Sequence, residues 1–258
     1  IYLDASGNAS ITAADIDGGS TDNGTIVSLV ASQTAFDCSN AGVNNVTLTV
    51  TDDGGNSDNC VAIVTVLDTI APTVVCQNIN AFLDASGHVN ITGAQLDGGS
   101  SDNCGTGSLT FSASTASFDC SNLGPQTVTL TVTDASGNSS QCSATVTVQD
   151  TITPTIACSS ASINIDGNGW AIISANAIAT WSDNCTSGIT TWVSTDSVNI
   201  VGDTTITVYV QDSSGNIDSC STTVHVTDSN PPVAICQNTT IYLDASGNAS
   251  ITAADIDG

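Results

Sequence analysis

The sequence predicts an all-β fold in which small β-sandwich modules of about 80 residues follow one another in an extended array. Three observations support this prediction. The chain of 258 residues contains no Lys, Arg, Glu or Met, which removes most of the good helix formers. Val, Ile and Thr, which favour strands, are abundant. Phrases of short alternating strands recur at a regular spacing along the chain.

Two phrases recur about every 80 residues and define the modules. One phrase is centred on Asp4, Asp84 and, more loosely, Asp166. The other aligns without gaps on Asp52, Asp134 and Asp212. Residues 1–18 also recur identically at 241–258, so three modules make one unit of 240 residues.

This register gives the predicted boundaries. They are 1–68 for module one, whose first strand is missing, 69–150 for module two, 151–228 for module three, and 229–258 for the start of a further module that repeats module one. Because the two ends of the chain are identical, we expect it to be a window on a longer array with at least two 240-residue units.

Each module has the pattern of short strands joined by tight turns. TVTLTVT at 127–133 and SATVTVQ at 143–149 alternate with period two, and Gly137 between them can adopt the positive φ of a hairpin turn. A second hairpin is predicted around the turn at 84–87, and SLTFSAS at 108–114 supplies a further strand. About seven strands in so short a module indicate a β-sandwich with a small core. Disulfides or bound ions would add stability that such a core cannot supply alone.

The charge pattern excludes several classes of function. All 25 acidic residues are Asp, and with no Lys or Arg the formal net charge is -25. Such a chain cannot release counterions from nucleic-acid phosphates and is repelled by anionic membranes, so we expect neither a nucleic-acid partner nor membrane insertion. Hydrophobic residues make up 40% of the chain, which is too many for a disordered acidic tail. Without a nucleophile motif or a cationic side chain, no enzymatic activity is expected.

The order of phrases in each module resembles the hyalin repeat, or HYR, family. In module two these phrases are SDNCG at 101–105, TVTLTVTDASGNSSQCSATVTVQDT at 127–151 and the linker into PTIAC at 154–158. The resemblance implies an immunoglobulin-like sandwich and an extracellular, adhesion-associated protein. One departure is that the usual Cys-Pro opening is Cys-Gln at Cys76 and Cys-Ser at Cys158.

Long arrays of this kind resemble the giant surface adhesins of gliding and other Bacteroidetes-type bacteria. The resemblance implies that the chain is part of the shaft of an extracellular or cell-surface adhesin or filament. The expected partners are neighbouring identical modules, other copies of the chain in a filament, and surface glycans. A glycan- or protein-binding array and a self-assembling filament subunit remain alternatives.

The ten cysteines recur at fixed places and contain no CxxC pair, which favours disulfides in an oxidising, extracellular setting over zinc sites. The first and last strands of such sandwiches run side by side, which implies the pairs Cys76–Cys142 and Cys158–Cys220. Module two has two more cysteines, Cys104 and Cys120, which could close a hairpin. Modules one and three each keep only one of that second pair, Cys38 and Cys185 respectively. Each of these is either a buried or modified thiol or a crosslink between modules or chains.

The chain has 25 carboxylates and no Lys or Arg to offset their mutual repulsion, which favours the binding of a divalent cation. Calcium is the natural candidate, because it accepts six to eight oxygen ligands. If the last strand runs parallel to the first, two acidic loops of module two meet the linker from module one. The expected calcium ligands at that junction are Asp68, Asp97, Asp102, Asp134 and Asn138. The counterpart at the next junction is Asp150, Asp183, Asp212 and Asn216. The alternative is that these Asp and Gly residues form tight turns and bind no metal.

Two surface features complete the predictions. Thr69, Thr151 and Thr204 follow Asp, as in the O-glycosylation sites of Bacteroidetes, and are candidate glycosylation sites. All three Trp residues belong to module three, where core packing is favoured over a platform for carbohydrate stacking.

Overall fold

A computed structural model describes residues 1–257, which divide into two compact units between Ile152 and Thr153. The first unit contains the ranges predicted for modules one and two. Its strands in the module-one range are β1 (Asn8–Ser10), β2 (Ile26–Ala31), β3 (Ala35–Asp37), β4 (Gly42–Asp52) and β5 (Ser57–Val66). Those in the module-two range are β6 (Ile79–Phe82), β7 (His88–Asn90), β8 (Thr110–Ala113), β9 (Ser117–Asp119), β10 (Gly124–Thr133) and β11 (Ser139–Gln149).

Short 3₁₀ helices fill the gaps between these strands. They cover Ala13–Ile16, Cys38–Asn40, Gly93–Leu96 and Cys120–Asn122. The second and fourth begin after an Asp, at Asp37 and Asp119, whose side chain accepts the backbone N–H two residues later. The same Asp-Cys-Ser-Asn phrase therefore gives the same local structure in both modules.

Each module-length range of the first unit forms two layers. In module one, β2, β4 and β5 make a three-stranded sheet and β1 pairs with β3. In module two, the larger sheet has the order β6-β11-β10-β8, and β7 pairs with β9. Strand β6 lies parallel to β11, whereas β10 is antiparallel to both β11 and β8. The predicted all-β architecture of tandem sandwiches is confirmed.

The two predicted hairpins have different outcomes. The hairpin of β10 and β11 is confirmed, with Gly137 at φ +91° in its turn. The second hairpin is wrong, although its turn forms through hydrogen bonds from Asp84 N to His88 O and from Gly87 N to Asp84 O, both 2.9 Å long. The strands on its two sides do not pair, because β6 joins β11 in one sheet and β7 joins β9 in the other.

A disulfide joins the two layers of module two. Cys76 lies opposite Asp97 in an isolated antiparallel bridge, and its partner Cys142 lies in β11 of the larger sheet. The structure thus contains the pair implied by the resemblance, but for a different reason. The strand beside β11 is β6, which follows Cys76, so the bond crosses between layers and does not link neighbouring strands.

The second unit repeats this plan. Its elements are β12 (Thr155–Cys158), β13 (Ala161–Asn164), β14 (Ala171–Ile172), α1 (Ala175–Ile178), β15 (Ala179–Ser182), β16 (Thr190–Val193), β17 (Ser197–Val198), β18 (Gly202–Gln211), β19 (Ile217–Thr227) and a 3₁₀ helix at Ala253–Asp255. The larger sheet has the order β13-β19-β18-β16, with β13 parallel to β19. β12 pairs with β15 and β14 with β17, and the Cys158–Cys220 disulfide links β12 to β19.

Alternating residues of the long strands form the cores. Ile206, Val208, Val224 and Val226 of β18 and β19 are at most 1% exposed and pack with Ile178 of α1. The residues between them on the same strands face outward, as period-two alternation requires. No helix among the described residues is long and apolar enough to cross a membrane.

Candidate functional site

One Asp-to-Asn turn recurs between the last two long strands of every module. The backbone N–H of Asn138 donates to Asp134 Oδ1 at 2.8 Å, and its side-chain Nδ2 donates to Asp134 Oδ2 at 2.9 Å. Asn216 donates in the same way to Asp212, at 2.8 and 2.7 Å. Asp134 and Asp212 are buried, with 6% and 4% exposure. Both carboxylate oxygens of each Asp therefore accept hydrogen bonds within the turn, as the metal-free alternative expects.

The linker residue Asp68 lies against this turn in the first unit. Asp68 is 8% exposed, and its backbone carbonyl accepts from Asn138 Nδ2 at 3.2 Å. Its carboxylate accepts from Ile70 N at 3.2 Å and from Ser136 Oγ at 3.5 Å. The turn of Asp134 thus holds the end of module one on the start of module two.

Asn103 makes a further contact across this junction, and the sequence predictions did not include it. Its Nδ2 donates to the backbone carbonyl of Asp4, at 3.2 Å, and to Asp68 Oδ1, at 3.3 Å. One amide therefore contacts both the first turn of module one and the linker. The only sequence signal is its place in the repeated Asp-Asn-Cys phrase, also found at 183–185.

The carboxylates of Asp68 and Asp102 form an acidic cluster, with candidate ligand atoms of Asp68, Asp102 and Cys104 within 4.8 Å of one another. Two charges at that separation repel by roughly 1 to 3.5 kcal/mol for effective dielectric constants between 80 and 20. Asp102 Oδ2 accepts from Cys104 N at 3.0 Å. Asp102 Oδ1 and Asn103 Oδ1, by contrast, are buried and have no hydrogen-bond partner among the described residues. Local turn chemistry therefore does not account for this cluster.

The third member of the cluster cannot be a ligand. Cys104 is bonded to Cys38, so its sulfur is not a thiolate. The donors left are the oxygens of Asp68, Asp102 and Asn103, and an all-oxygen set of this kind fits calcium and not zinc.

The Cys38–Cys104 disulfide corrects the expectation that Cys104 pairs with Cys120. Cys38 belongs to the module-one range and Cys104 to module two, and their Cα atoms are 5.4 Å apart. Cys120 occupies in module two the place of Cys38 in module one, which faces the following module. Cys104 and Cys120 therefore lie at opposite ends of one module and cannot close a hairpin. Eight cysteines are disulfide-bonded, while Cys60 and Cys236 are free and exposed.

Asp97 does not join the acidic cluster through any hydrogen bond. Its Oδ1 accepts from Ser100 N at 2.8 Å and from Ser100 Oγ at 2.5 Å. Burial favours a higher pKa for Asp97, but the hydrogen bonds from Ser100 outweigh it and hold the pKa below its usual value. Turn formation therefore accounts for the contacts of this carboxylate, as it does for those of Asp134.

The four residues predicted at the second junction repeat the local contacts of the first. Asp150 accepts from Ile152 N at 3.1 Å in the first unit. In the second unit, Asp183 accepts from Cys185 N at 3.0 Å, as Asp102 does from Cys104. Asp212 and Asn216 form the turn described above. A calcium site made from these four residues stays a prediction.

The predicted surface sites differ in exposure. Thr69 and Thr151 are exposed, and Thr204 is half-buried on β18. Trp181 packs against the core of module three as expected. Trp170 and Trp192 do not, since they are 43% and 41% exposed, and Trp192 stacks on Tyr209 with ring centroids 5.3 Å apart.

The Asp residues that cap the 3₁₀ helices, such as Asp119, should make the stability of the fold depend on pH. Hydrogen bonds from the Ser121 hydroxyl and backbone N–H lower the pKa of Asp119. A carboxyl whose pKa is depressed in the folded state stabilises the fold above its unfolded pKa of about 3.9, and that contribution is lost as the pH falls through the folded pKa. An NMR titration of Asp119 should give a midpoint below that value. Ser121→Ala should move the midpoint upward, and an unchanged midpoint would contradict this account.

No protein-family model and no curated protein matches the chain. Solved structures similar to it include protocadherin gamma B7 cadherin domains 1–4, with 16% identity, a TM-score of 0.32, and coverage of 80% of this chain and 66% of that one. The immunoglobulin domains 1–4 of Sidekick-1 give 10% identity, a TM-score of 0.34 and coverages of 76% and 61%. Mouse cadherin-23 domains EC22–24 give 14% identity and a TM-score of 0.31, with coverage of 76% of this chain and 78% of that one.

The chain thus spans 66% of the first of these structures and less than that of Sidekick-1. Likenesses of this size assign neither an activity nor a ligand.

Proposed function

We propose that the chain is part of the shaft of an extracellular adhesin or filament, in which β-sandwich modules are joined end to end. The observation that carries this proposal is the junction in the first unit, where a disulfide and the contacts of Asp68 and Asn103 join consecutive sandwiches. A connection of this kind suits a spacer whose length matters. Disulfides at repeated positions support an oxidising, extracellular setting.

The sequence resemblance supports a more specific proposal for the type of module and of array. We propose HYR-type modules bounded at residues 68, 150 and 228, in an array of the kind found in surface adhesins of gliding Bacteroidetes-type bacteria. The partners are neighbouring modules and other copies of the chain. Exposed Thr69 and Thr151 stay candidate O-glycosylation sites, and the half-buried Thr204 is the weakest of the three.

We further propose that calcium binds at the junction of modules one and two. Asp68 and Asp102 would supply the carboxylates and Asn103 the amide oxygen, with backbone carbonyls and water completing the six to eight ligands. The ion would neutralise two carboxylates that otherwise repel, and it would give the unpartnered oxygens of Asp102 and Asn103 a partner. Asp134 would act indirectly, because it fixes Asn138, which holds the Asp68 backbone.

Thermal unfolding with calcium and then with excess chelator tests the calcium proposal. A ligand present at a hundred times its Kd stabilises the folded state by about 2.7 kcal/mol, so chelation should lower the Tm by several degrees. Asp102→Asn should reduce that difference and raise the Tm in chelator, since one of the repelling charges is gone. Asp22→Asn is the matched control, because Asp22 has the same place in module one but is exposed.

Two results would contradict the proposal. One is a Tm that does not change with calcium, which would mean that these Asp residues stabilise turns and bind no metal. The other is an equal effect of the two substitutions, which would place the ion elsewhere. The maximum dimension from small-angle scattering, measured in the same two conditions, shows whether the ion also keeps the array extended.

Glycan binding is a second candidate function, supported by the exposed Trp170 and by the Trp192–Tyr209 stack. Flat aromatic rings that are partly open to solvent provide the apolar face on which a sugar ring packs. Titration of the chain with oligosaccharides, followed by Trp fluorescence, tests it. Trp192→Ala should abolish any response, and a response that survives this substitution would rule the stack out.

A further inference from the structure

The tail, residues 229–258, has the local structure of a module but no core of its own. All its described residues are exposed, and none of them belongs to a strand. Its 3₁₀ helix at Ala253–Asp255 nevertheless repeats the one at Ala13–Ile16. The backbone N–H of Asp244 donates to the carbonyl of Asn248 at 2.8 Å, like its counterpart in the first turn of module one. The tail is therefore a preformed part of a module that lacks the sheet on which to pack.

Two apolar side chains of the tail are exposed although their counterparts lie in a core. Leu243 is 69% exposed and Ile251 is 48% exposed. Their counterparts in the identical sequence 1–18 are Leu3 and Ile11, which are 4% and 7% exposed and pack with the buried residues of β4 and β5. Because the two sequences are identical, the tail can make with that sheet the contacts that residues 1–18 make now.

Module one, in turn, has a groove beside an unpaired cysteine. Cys60 has the place in β5 that Cys142 has in β11. Cys142 is bonded to Cys76, whereas Cys60 is free and exposed. A groove of about 390 Å³ lies beside Cys60, and its lining includes Ser20 and Val50. The described residues of module one supply neither the chain segment nor the cysteine that would close this groove.

Module two shows which segment belongs at this place. The backbone N–H of Val75 donates to Ser100 Oγ at 3.0 Å, and Ser100 is the counterpart of the serine that lines the groove. The next residue, Cys76, forms the disulfide to β11. In the tail, Ile235 and Cys236 have the places of these two residues, and Cys236 is free and exposed. The tail therefore contains the segment that the groove of module one lacks.

We propose that the tail of one copy of the chain binds to module one of a second copy, where it displaces residues 1–18 and brings Cys236 against Cys60. The proposal rests on the proposed function as a shaft and identifies the partner as a second copy of this chain. Exchange of two identical segments conserves the contacts within the module, and segment 233–236 adds those that module one lacks. The exposed pair Gly18–Gly19, whose Cβ positions meet nothing within 4 Å, gives the displaced segment room to turn outward.

The covalent step of this assembly joins two thiols. The thiols of Cys60 and Cys236 lose two protons and two electrons to a small disulfide such as oxidised glutathione, which is released as two thiols. The tail and the groove are different surfaces, so one copy can use both at the same time. Association between unlike surfaces continues from copy to copy as an open filament.

Peptide mapping of a mixed sample tests the pairing. Isotope-labelled and unlabelled chains are mixed, treated with oxidised glutathione and digested, without reduction, by a protease that cleaves before Asp. Cys60 is then released in peptide 58–67 and Cys236 in peptide 228–243. These two peptides should be joined, and pairs of mixed label should be as frequent as pairs of uniform label. Pairs of uniform label alone would mean closure within one chain and would overturn the proposal, as would peptide 58–67 left free or joined to itself.

Two substitutions separate specific binding from chance collision of exposed thiols. Leu243→Asn leaves the free chain unchanged, because Leu243 is exposed there, but in the complex it puts an amide at the buried place of Leu3. It should lower the yield of joined peptides about tenfold or more. Ala245→Asn is the matched control, because its counterpart Ala5 is exposed, and it should leave the yield unchanged. Equal yields from the two variants would mean that the thiols meet by collision alone, and the proposal would fail.

Light scattering of the oxidised chain distinguishes this proposal from the shaft proposal. Assembled copies should have masses in multiples of 25.7 kDa and a maximum dimension that increases with each copy. If the mass stays at 25.7 kDa while calcium still raises the Tm, the copies do not bind one another and the shaft proposal stands. If the copies join through Cys60 and Cys236 but form compact clusters, the pairing stands and the shaft proposal fails.

Discussion

Replacing both Cys158 and Cys220 by alanine is expected to lower the free energy of unfolding of module three by about 4 kcal/mol. The disulfide closes a loop with a sequence separation of 62 residues, and opening it restores the conformational entropy of that loop to the unfolded chain. It also releases β12 from β19, so the two layers lose their covalent link. A loss of this size is a large share of the stability of a small domain.

The measurement can be confined to this module. All three Trp residues of the chain lie in module three, so the Trp fluorescence transition in urea reports its unfolding alone. Cys236→Ser is the control, because Cys236 is free and exposed in the same unit. If the double alanine variant had the same midpoint as this control, the layers would be held by the core and the bond would be incidental.

Gly7→Ala is expected to weaken the junction between modules one and two far more than the same change in another copy of that turn. Gly7 has φ +72°, and a Cβ there would lie 2.7 Å from both Asn103 O and Cys38 Sγ. The first atom is backbone and the second is in a disulfide, so neither can move aside freely. Gly169, at the equivalent place in module three, has φ +83° and nothing within 4 Å of its Cβ position.

The two substitutions separate backbone strain from close packing. Gly169→Ala should cost only the left-handed backbone term of about 1 to 2 kcal/mol. Gly7→Ala should cost about 1 to 3 kcal/mol more from the steric conflict. Hydrogen exchange should show faster exchange around Asn103 in Gly7→Ala alone. Equal losses of Tm in both variants, with no change at Asn103, would mean that Gly7 does not contact module two.

The sequence predicts those features that depend on local pattern. The hairpin of β10 and β11 follows from alternation and Gly137, since both strands stay in one sheet. At the turn after Asp84 the same reasoning fails, because a tight turn fixes the local backbone but not the sheet that the next strand joins. That choice depends on long-range packing, which a single phrase does not encode.

In the candidate site, too, some contacts were predicted from the sequence and others were not. Asp68 and Asp102 were predicted to be neighbours from the parallel arrangement of first and last strands, and they lie together. Asp97 was placed with them, but its carboxylate bonds to Ser100 in its own turn. A crosslink between modules was one of the two alternatives for Cys38, but the partner of Cys104 was wrong, because that choice depends on which module ends face each other. The available sequence signal was that module one has Gly24 at the place of Cys104, so Cys38 has no such partner in its own module.

The disulfide between the layers determines how the chain carries tension. A pull along the chain enters module two before Cys76 and leaves after Cys142, so it passes through the sulfur–sulfur bond and not through the 66 residues between them. Those residues, fully stretched, would add about 220 Å of slack. With the bond intact that slack is never released, even if the sheets melt. Each oxidised module is therefore nearly inextensible, and a reducing agent would convert the chain from a tether of fixed length into one that lengthens under load.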